Sequence, residues 1–178
     1  MRKDNEYMRI KNVFLALIGV GIVIIDQLAK MLVVKNISAT DSIHVIPKLF
    51  DFVYVKNTGA AFSILSDSTV LLGIISVLFC IGVGAYWYIK KPEHTLLRLT
   101  MTLLLAGAFG NAIDRLFRGF VVDFIQTVFM RFPVFNVADI SITAGAVLLI
   151  IYLLFFDEGN DKDGKTDTDG GQSGKSED

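Results

Sequence analysis

Four long apolar runs dominate the chain and predict four membrane-spanning helices. The runs cover approximately residues 13–34, 69–89, 96–116 and 137–156. Each run is close to the ~20 residues that a helix needs to cross ~30 Å of hydrocarbon. Polar residues separate the runs but rarely interrupt them, so these segments are suited to the lipid interior of a membrane. The sequence therefore predicts an α-helical polytopic membrane protein, with one membrane-embedded domain over residues 1–156.

The segment between the first two runs follows a different pattern. Residues 43–57, IHVIPKLFDFVYVKN, are rich in β-branched and aromatic side chains and contain Pro47. This composition predicts two short strands that flank a turn. The motif NTGAAFS follows at residues 57–63. Gly59 permits unusual backbone angles, and the two alanines leave room for an extended chain to pair here, although an ordinary turn is the simpler interpretation.

Composition supports a membrane protein with a polar tail. Of the 178 residues, 53% are hydrophobic and 20% are charged, whereas soluble domains average about 25% charged residues. Residues 157–178 are rich in Asp, Gly, Lys and Ser, which predicts a disordered C-terminal tail. The first run is too long for a cleaved signal peptide and contains Asp26 and Lys30. We therefore expect it to remain as a membrane span.

Lysine and arginine are distributed unevenly between the two sides of the predicted bundle. One side carries Arg2, Lys3, Arg9, Lys11, Lys90, Lys91 and Arg98. The other side carries Lys35, Lys48, Lys56, Arg118 and Arg131. Cytoplasmic loops are enriched in these residues, so the bias places both termini in the cytoplasm.

Ionisable and amide side chains gather at the opposite, outer end of the bundle in this topology. They are Asp26, Lys30, Asn111, Asp114, Arg115, Asn136 and Asp139 in or beside the runs, with Asn57 and Asp123 in the outer loops. Charged groups in a membrane are costly, so such a cluster indicates a functional site. Clustering at one depth favours a reaction at the membrane surface, because a transport pathway needs polar groups near the midplane.

Three local spacings predict specific contacts within this cluster. Asp26 and Lys30 are four residues apart with the acid first, which favours an ion pair. Asn136 and Asp139 have the spacing of a helix-capping box. An acid near the C-terminus of a helix is unfavourable, so we expect Arg115 to hold Asp114 or another carboxylate.

The residue types in the cluster narrow the possible chemistry. His44 and His94 fall on opposite sides of the predicted topology, and no metal-binding or phosphate-binding motif is present. A serine–lysine pair remains open, with Ser63 or Ser141 beside Lys30 or Lys56. Two aspartates in a low-dielectric site cannot both ionise easily, so one keeps a proton while the other activates water. Spacing alone leaves open which two aspartates pair.

Four motifs in order, DQLAK, NTGAAFS, GNAIDRLFRGFVVDF and FNVADISI, resemble those of the lipoprotein signal peptidase (signal peptidase II) family. The resemblance implies an aspartic endopeptidase whose catalytic dyad is Asp123 and Asp139. It implies removal of signal peptides from diacylglyceryl-modified prolipoproteins, before the lipidated cysteine, at the outer face of the bacterial cytoplasmic membrane. It also implies a small extracytoplasmic β-cradle. The residues expected to bind substrate or support the dyad are Asn57, Gly59, Asn111, Asp114, Arg115, Asn136, Asp26 and Lys30.

The expected partners are lipidated prolipoproteins and membrane lipids, with no nucleic acid, no metal and no cofactor, and the expected state is a monomer. Two other hypotheses use the same residues. A proton-coupled transporter would use the carboxylates to carry protons, and a purely structural membrane protein would use the aspartates to cap helices.

Overall fold

The computed structural model describes residues 2–59 and 68–156, with side chains from residue 10 onward. The second half of the NTGAAFS motif, including Ser63, lies outside the described residues. The predicted polar tail at 157–178 also lies outside them.

Four helices contain the apolar runs: α1 (Arg2–Asn36), α2 (Thr69–Lys90), α3 (Thr95–Phe117) and α4 (Val137–Phe155). All four are long and apolar enough to cross a membrane, which confirms the predicted fold class. With 35 residues, α1 is about 52 Å long at 1.5 Å per residue. It therefore extends beyond the ~30 Å hydrocarbon layer.

Helix α3 is the centre of the bundle, and the other three helices pack around it. In its most apolar window 61% of the residues are buried, against 11–17% in the other three helices. The outer helices instead expose large apolar side chains such as Val20, Leu78 and Leu154. Such exposed apolar surface is stable only in contact with lipid, so α3 carries the protein interior and its neighbours form the lipid-facing shell.

A three-stranded antiparallel sheet lies outside the helices. Strands β1 (Ser42–Ile46), β2 (Phe50–Asn57) and β3 (Val121–Thr127) follow one another in the order β1-β2-β3. The first two strands and the turn between them confirm the sequence prediction. The third strand was missed: Asp123 was expected in an outer loop, but it lies in β3. Residues 121–124 are buried without alternation, so their sequence lacks the period-2 pattern that identifies a strand.

The sheet packs one face against the end of α1. Val122 and Phe124 of β3 form a buried cluster with Val33 and Ile37. Side chains alternate along a strand, so Asp123 points to the opposite face, where it pairs across the sheet with Val55. This packing fixes which face of β3 presents its carboxylate.

Small residues bring α4 against α3. A Cβ built on Gly107 would lie 2.4 Å from the carbonyl oxygen of Ala138 and 2.6 Å from Cγ1 of Ile142. No side chain fits this contact without moving the α4 backbone. In contrast, a Cβ on Gly82 meets nothing within 4 Å.

We predict that Gly107→Ala destabilises the protein by roughly 1–3 kcal/mol, the usual cost of overpacking. Gly82→Ala is the matched control, and we expect it to be neutral or stabilising by up to about 1 kcal/mol through helix propensity. Thermal unfolding of both variants in the same detergent tests this. Equal stability of the two variants would contradict the close approach of α3 and α4.

Candidate active site

The two aspartates of the expected dyad are connected through a single asparagine. Asp123 lies in the middle of β3 and Asp139 in the first turn of α4. The side-chain amide of Asn136 donates to Oδ1 of Asp123 at 2.6 Å. The backbone N–H of Asn136 donates to Oδ2 of Asp139 at 3.1 Å. The structure thus brings both carboxylates to the same residue.

Asn136 has this position because it caps α4. Its Oδ1 accepts the backbone N–H of Asp139 at 2.9 Å, and together with the return bond from Asp139 this forms a full capping box. The predicted capping interpretation is confirmed. Capping uses the amide oxygen of Asn136 and leaves the amide nitrogen to donate to Asp123. The same side chain therefore caps the start of α4 and orients the carboxylate of Asp123.

Each aspartate receives a second amide donor from another element. Asn57, on β2, donates to Oδ2 of Asp123 at 2.8 Å. Asn111, on α3, donates to Oδ1 of Asp139 at 2.7 Å. Each carboxylate therefore accepts two N–H bonds, which fix its orientation.

The environment of Asp123 raises the pKa of its carboxyl group. Burial is the largest cause and the negative charge of Asp139 is the second, and together they raise the pKa of Asp123 from 3.8 to about 6. The hydrogen bonds from Asn57 and Asn136 favour the ionised form and partly oppose this shift. A carboxyl group in this state exchanges its proton close to neutral pH.

A buried lysine lies beneath the dyad. Nζ of Lys30 is 2.8 Å from Asp26 and 2.9 Å from Asp114, and all three side chains are fully buried. Its third bond, at 3.0 Å, goes to Oδ1 of Asn111. The predicted Asp26–Lys30 pair is confirmed, with Asp114 as a second anionic partner. Because Lys30 binds the amide oxygen of Asn111, the amide nitrogen is left to face Asp139.

The two carboxylates around Lys30 also hold the backbone of the elements that carry the dyad. Asp26 accepts the backbone N–H of Ala138 at 2.9 Å, and Asp114 accepts that of Val122 at 3.2 Å. Ala138 and Val122 directly precede the two dyad aspartates. The buried ion cluster thus fixes α4 and β3 one residue away from each dyad carboxylate.

Sequence reasoning missed Gln27 as part of this cluster. Its Nε2 lies within hydrogen-bond distance of Asp26 (3.1 Å), the Gly110 carbonyl (3.1 Å) and Asp114 (3.4 Å). The available signal was its place in the DQLAK motif, three residues before Lys30, which puts both on one helix face.

The prediction that Arg115 binds Asp114 or another carboxylate is wrong. Arg115 instead donates to the carbonyl oxygen of Gly59 at 3.3 Å, and the guanidinium nearest Asp114 belongs to Arg118, at 3.6 Å. Consecutive helix residues point about 100° apart. Since Asp114 turns inward to Lys30, Arg115 faces the cavity instead, where it binds the segment that follows β2.

The serine–lysine alternative gains no support from the described residues. Ser141 donates to the carbonyl oxygen of Leu103 at 2.8 Å, and Lys30 is engaged by two carboxylates and an amide.

A cavity of about 850 Å³ opens above the dyad. Its polar end is lined by Asn57, Gly59, Asn111, Arg115, Asp123 and Asp139. Its apolar wall includes Val55, Phe132, Pro133, Phe135 and Ile140. Six of the ten sequence-predicted site residues thus line this cavity. Two more, Asp26 and Lys30, lie in the buried ion cluster and bind Ala138 and Asn111. The remaining two, Asp114 and Asn136, hold the dyad strand and helix.

The family model for signal peptidase (SPase) II matches residues 18–155. The chain belongs to the signal peptidase II family. It is 41% identical to a lipoprotein signal peptidase of Staphylococcus aureus over 83% of this chain and 91% of that one. It is 39% identical to a lipoprotein signal peptidase of Lactobacillus gasseri over 84% of this chain and 97% of that one.

The chain also shares its fold with a solved membrane enzyme. A bacterial membrane enzyme determined by the in meso method at 2.3 Å resolution superposes with a TM-score of 0.74 at 35% identity. The match covers 88% of this chain and 92% of that chain. The fold shared with this membrane enzyme therefore covers most of the chain.

We predict that Lys30→Met destabilises the protein by about 3–5 kcal/mol, because it leaves buried carboxylates without a compensating charge. Lys35→Met, at the exposed end of the same helix, is the control and should change stability by less than about 0.5 kcal/mol. Adding Asp26→Asn to Lys30→Met should recover part of the loss. Chemical unfolding in detergent measures all three, and equal stability of the two lysine variants would disprove the role assigned to Lys30.

Proposed function

We propose that this chain is a membrane aspartic endopeptidase that removes signal peptides from diacylglyceryl-modified prolipoproteins, cutting before the lipidated cysteine. Membership of the signal peptidase II family supports the reaction class. The observation that carries the assignment of the dyad is the bridge through Asn136, which joins Asp123 and Asp139 at one cavity.

The two carboxyl groups hold one proton between them in the proposed mechanism. The ionised carboxylate takes a proton from water, and the resulting hydroxide attacks the carbonyl carbon of the scissile amide. The protonated carboxyl donates to the carbonyl oxygen, which gives a tetrahedral diol. A proton then passes to the amide nitrogen, the C–N bond breaks, and the dyad returns to its starting state. No covalent intermediate with the protein is formed.

The cavity suits a substrate that is both peptide and lipid. Asn57, Asn111 and Arg115 supply donors at the polar end, while aromatic and aliphatic side chains form the opposite wall. A diacylated cysteine stays in the bilayer, so its scissile bond has to be met at the interface. Because both partners are held in the membrane, orientation is restricted before chemistry begins.

We also propose that both termini lie in the cytoplasm and that the enzyme is a monomer. The excess of lysine and arginine near the start of α1 and around the α2–α3 link favours cytoplasmic termini, with the dyad and sheet on the outer face of the cytoplasmic membrane. The dyad and its supporting residues all come from one chain, so a monomer suffices. Nothing observed on the described residues favours the transporter hypothesis.

We predict that Asp123→Asn and Asp139→Asn each reduce cleavage of a lipidated prolipoprotein by 10²–10⁴-fold or more, at roughly the scale of general acid–base catalysis. Asp41→Asn is the control, because Asp41 is exposed and its side-chain bonds within the described part of the chain go to the neighbouring Ser38 and Thr40. It should retain activity within about twofold, as surface substitutions usually do. Release of the signal peptide by purified protein is the measurement, and normal turnover by either dyad variant would remove that residue from the mechanism.

We predict that kcat/KM of the free enzyme falls as pH rises through about 6, the pKa of Asp123, because the dyad then loses its shared proton. Asn57 stabilises the ionised form of Asp123. Asn57→Ala should therefore raise the pKa of Asp123 and move this alkaline limb to higher pH. NMR titration of the ¹³C-labelled aspartate carboxyls reads the pKa even if activity is low. Asn36→Ala, an exposed amide bonded to the Leu32 carbonyl, should leave the titration unchanged.

A further inference from the structure

The end of the sheet where its two turns meet exposes large apolar side chains. Two turns form it, residues 46–50 between β1 and β2 and residues 128–132 after β3. The exposed side chains are Ile46 (46%), Leu49 (43%), Val128 (49%), Phe129 (60%), Met130 (48%) and Phe132 (49%). We call these six residues the sheet tip. An apolar cluster of this kind in contact with water marks an interaction surface.

The two turns are held together as one unit. The backbone N–H of Val128 donates to the carbonyl oxygen of Leu49 at 2.9 Å. The rings of Phe50 and Phe129 meet edge to face, with their centroids 6.3 Å apart. Because both backbone and side chains connect the turns, the sheet tip has a fixed shape and its exposed side chains point outward together.

We propose that the sheet tip inserts into the interface of the phospholipid leaflet on the sheet's side of the membrane. Lys48 and Arg131 are exposed within the same two turns. Cations beside an apolar cluster complement lipid phosphates while the apolar side chains enter the acyl boundary. A polar protein partner would leave the apolar residues unmatched, whereas a phospholipid interface satisfies both groups.

The position of the tip relative to the dyad supports the same occupant. Phe132 lines the dyad cavity, and the chain enters the membrane again at Val137, so the tip is continuous with lipid-facing surface. Val128 lies five residues beyond Asp123, or about 17 Å along an extended strand. A sheet standing upright would hold the tip that far out in water. A sheet lying along the membrane places the tip in the interface, which is the orientation we infer.

Fluorescence quenching by brominated lipids tests this directly. The chain has one tryptophan, so Trp87→Phe gives a background in which Phe129→Trp reports only the tip. The comparison is His44→Trp in the same background, since His44 lies on the same sheet, is 74% exposed and pairs with Asp51 at 2.9 Å. The full-length protein is reconstituted in phosphatidylethanolamine–phosphatidylglycerol vesicles with bromines at acyl positions 6 and 7.

We expect the tryptophan at position 129 to be quenched by brominated lipid at least about twice as strongly as that at position 44, with the reverse order for aqueous acrylamide. Equal acrylamide quenching at both positions, with no lipid quenching at 129, would overturn the proposal and point to a protein partner instead. The measurement needs no peptidase activity, so its failure is separate from failure of the proposed function.

A second measurement relates the tip to turnover. Phe129→Ser should lower cleavage of a vesicle-embedded prolipoprotein several-fold while activity in detergent micelles stays within about twofold, because Phe129 does not line the dyad cavity. Equal activity in both settings would show that the tip does not position the enzyme on the bilayer.

Discussion

The site depends on one buried cation. Lys30 is fully buried between Asp26 and Asp114, and a charge in such a place is stable only when it is paired and hydrogen-bonded. Its two carboxylate partners accept backbone N–H groups of α4 and β3. The compensation of one charge therefore connects four elements, α1, α3, α4 and β3. Without it, Asp26 and Asp114 lose the shared cation through which α1 and α3 hold that helix and that strand.

The surroundings of the dyad agree with two carboxyl groups that share one proton. Burial and the negative charge of Asp139 both raise the pKa of Asp123, so a second negative charge on the dyad is unfavourable. Lys30 and Arg118 face Asp26 and Asp114. The cations that line the dyad cavity itself are Arg115 and Lys56.

Sequence predicted those parts of the site that depend on short-range spacing. The Asp26–Lys30 pair and the Asn136–Asp139 capping box follow from helix geometry, and the four spans follow from hydropathy. Local spacing did not predict the third strand, because β2 pairs with β3 across more than sixty residues of chain. It did not predict the partner of Arg115 either, because Asp114 turns toward another helix. Contacts between elements distant in sequence leave no periodic signal. The choice of Asp123 and Asp139 as the pair came from the family resemblance and not from spacing.

Helix packing and the polar site both require small residues on α3. Gly107 lets the backbone of α4 approach α3, and a Cβ on Gly110 would lie 3.0 Å from Oδ2 of Asp26. Asp26 reaches across this gap to the backbone of Ala138. A larger residue at position 110 would therefore separate α1 from α4 as well as crowd α3. The small residues of α3 are thus part of the site, because they let carboxylates on one helix satisfy backbone donors on another without water between them.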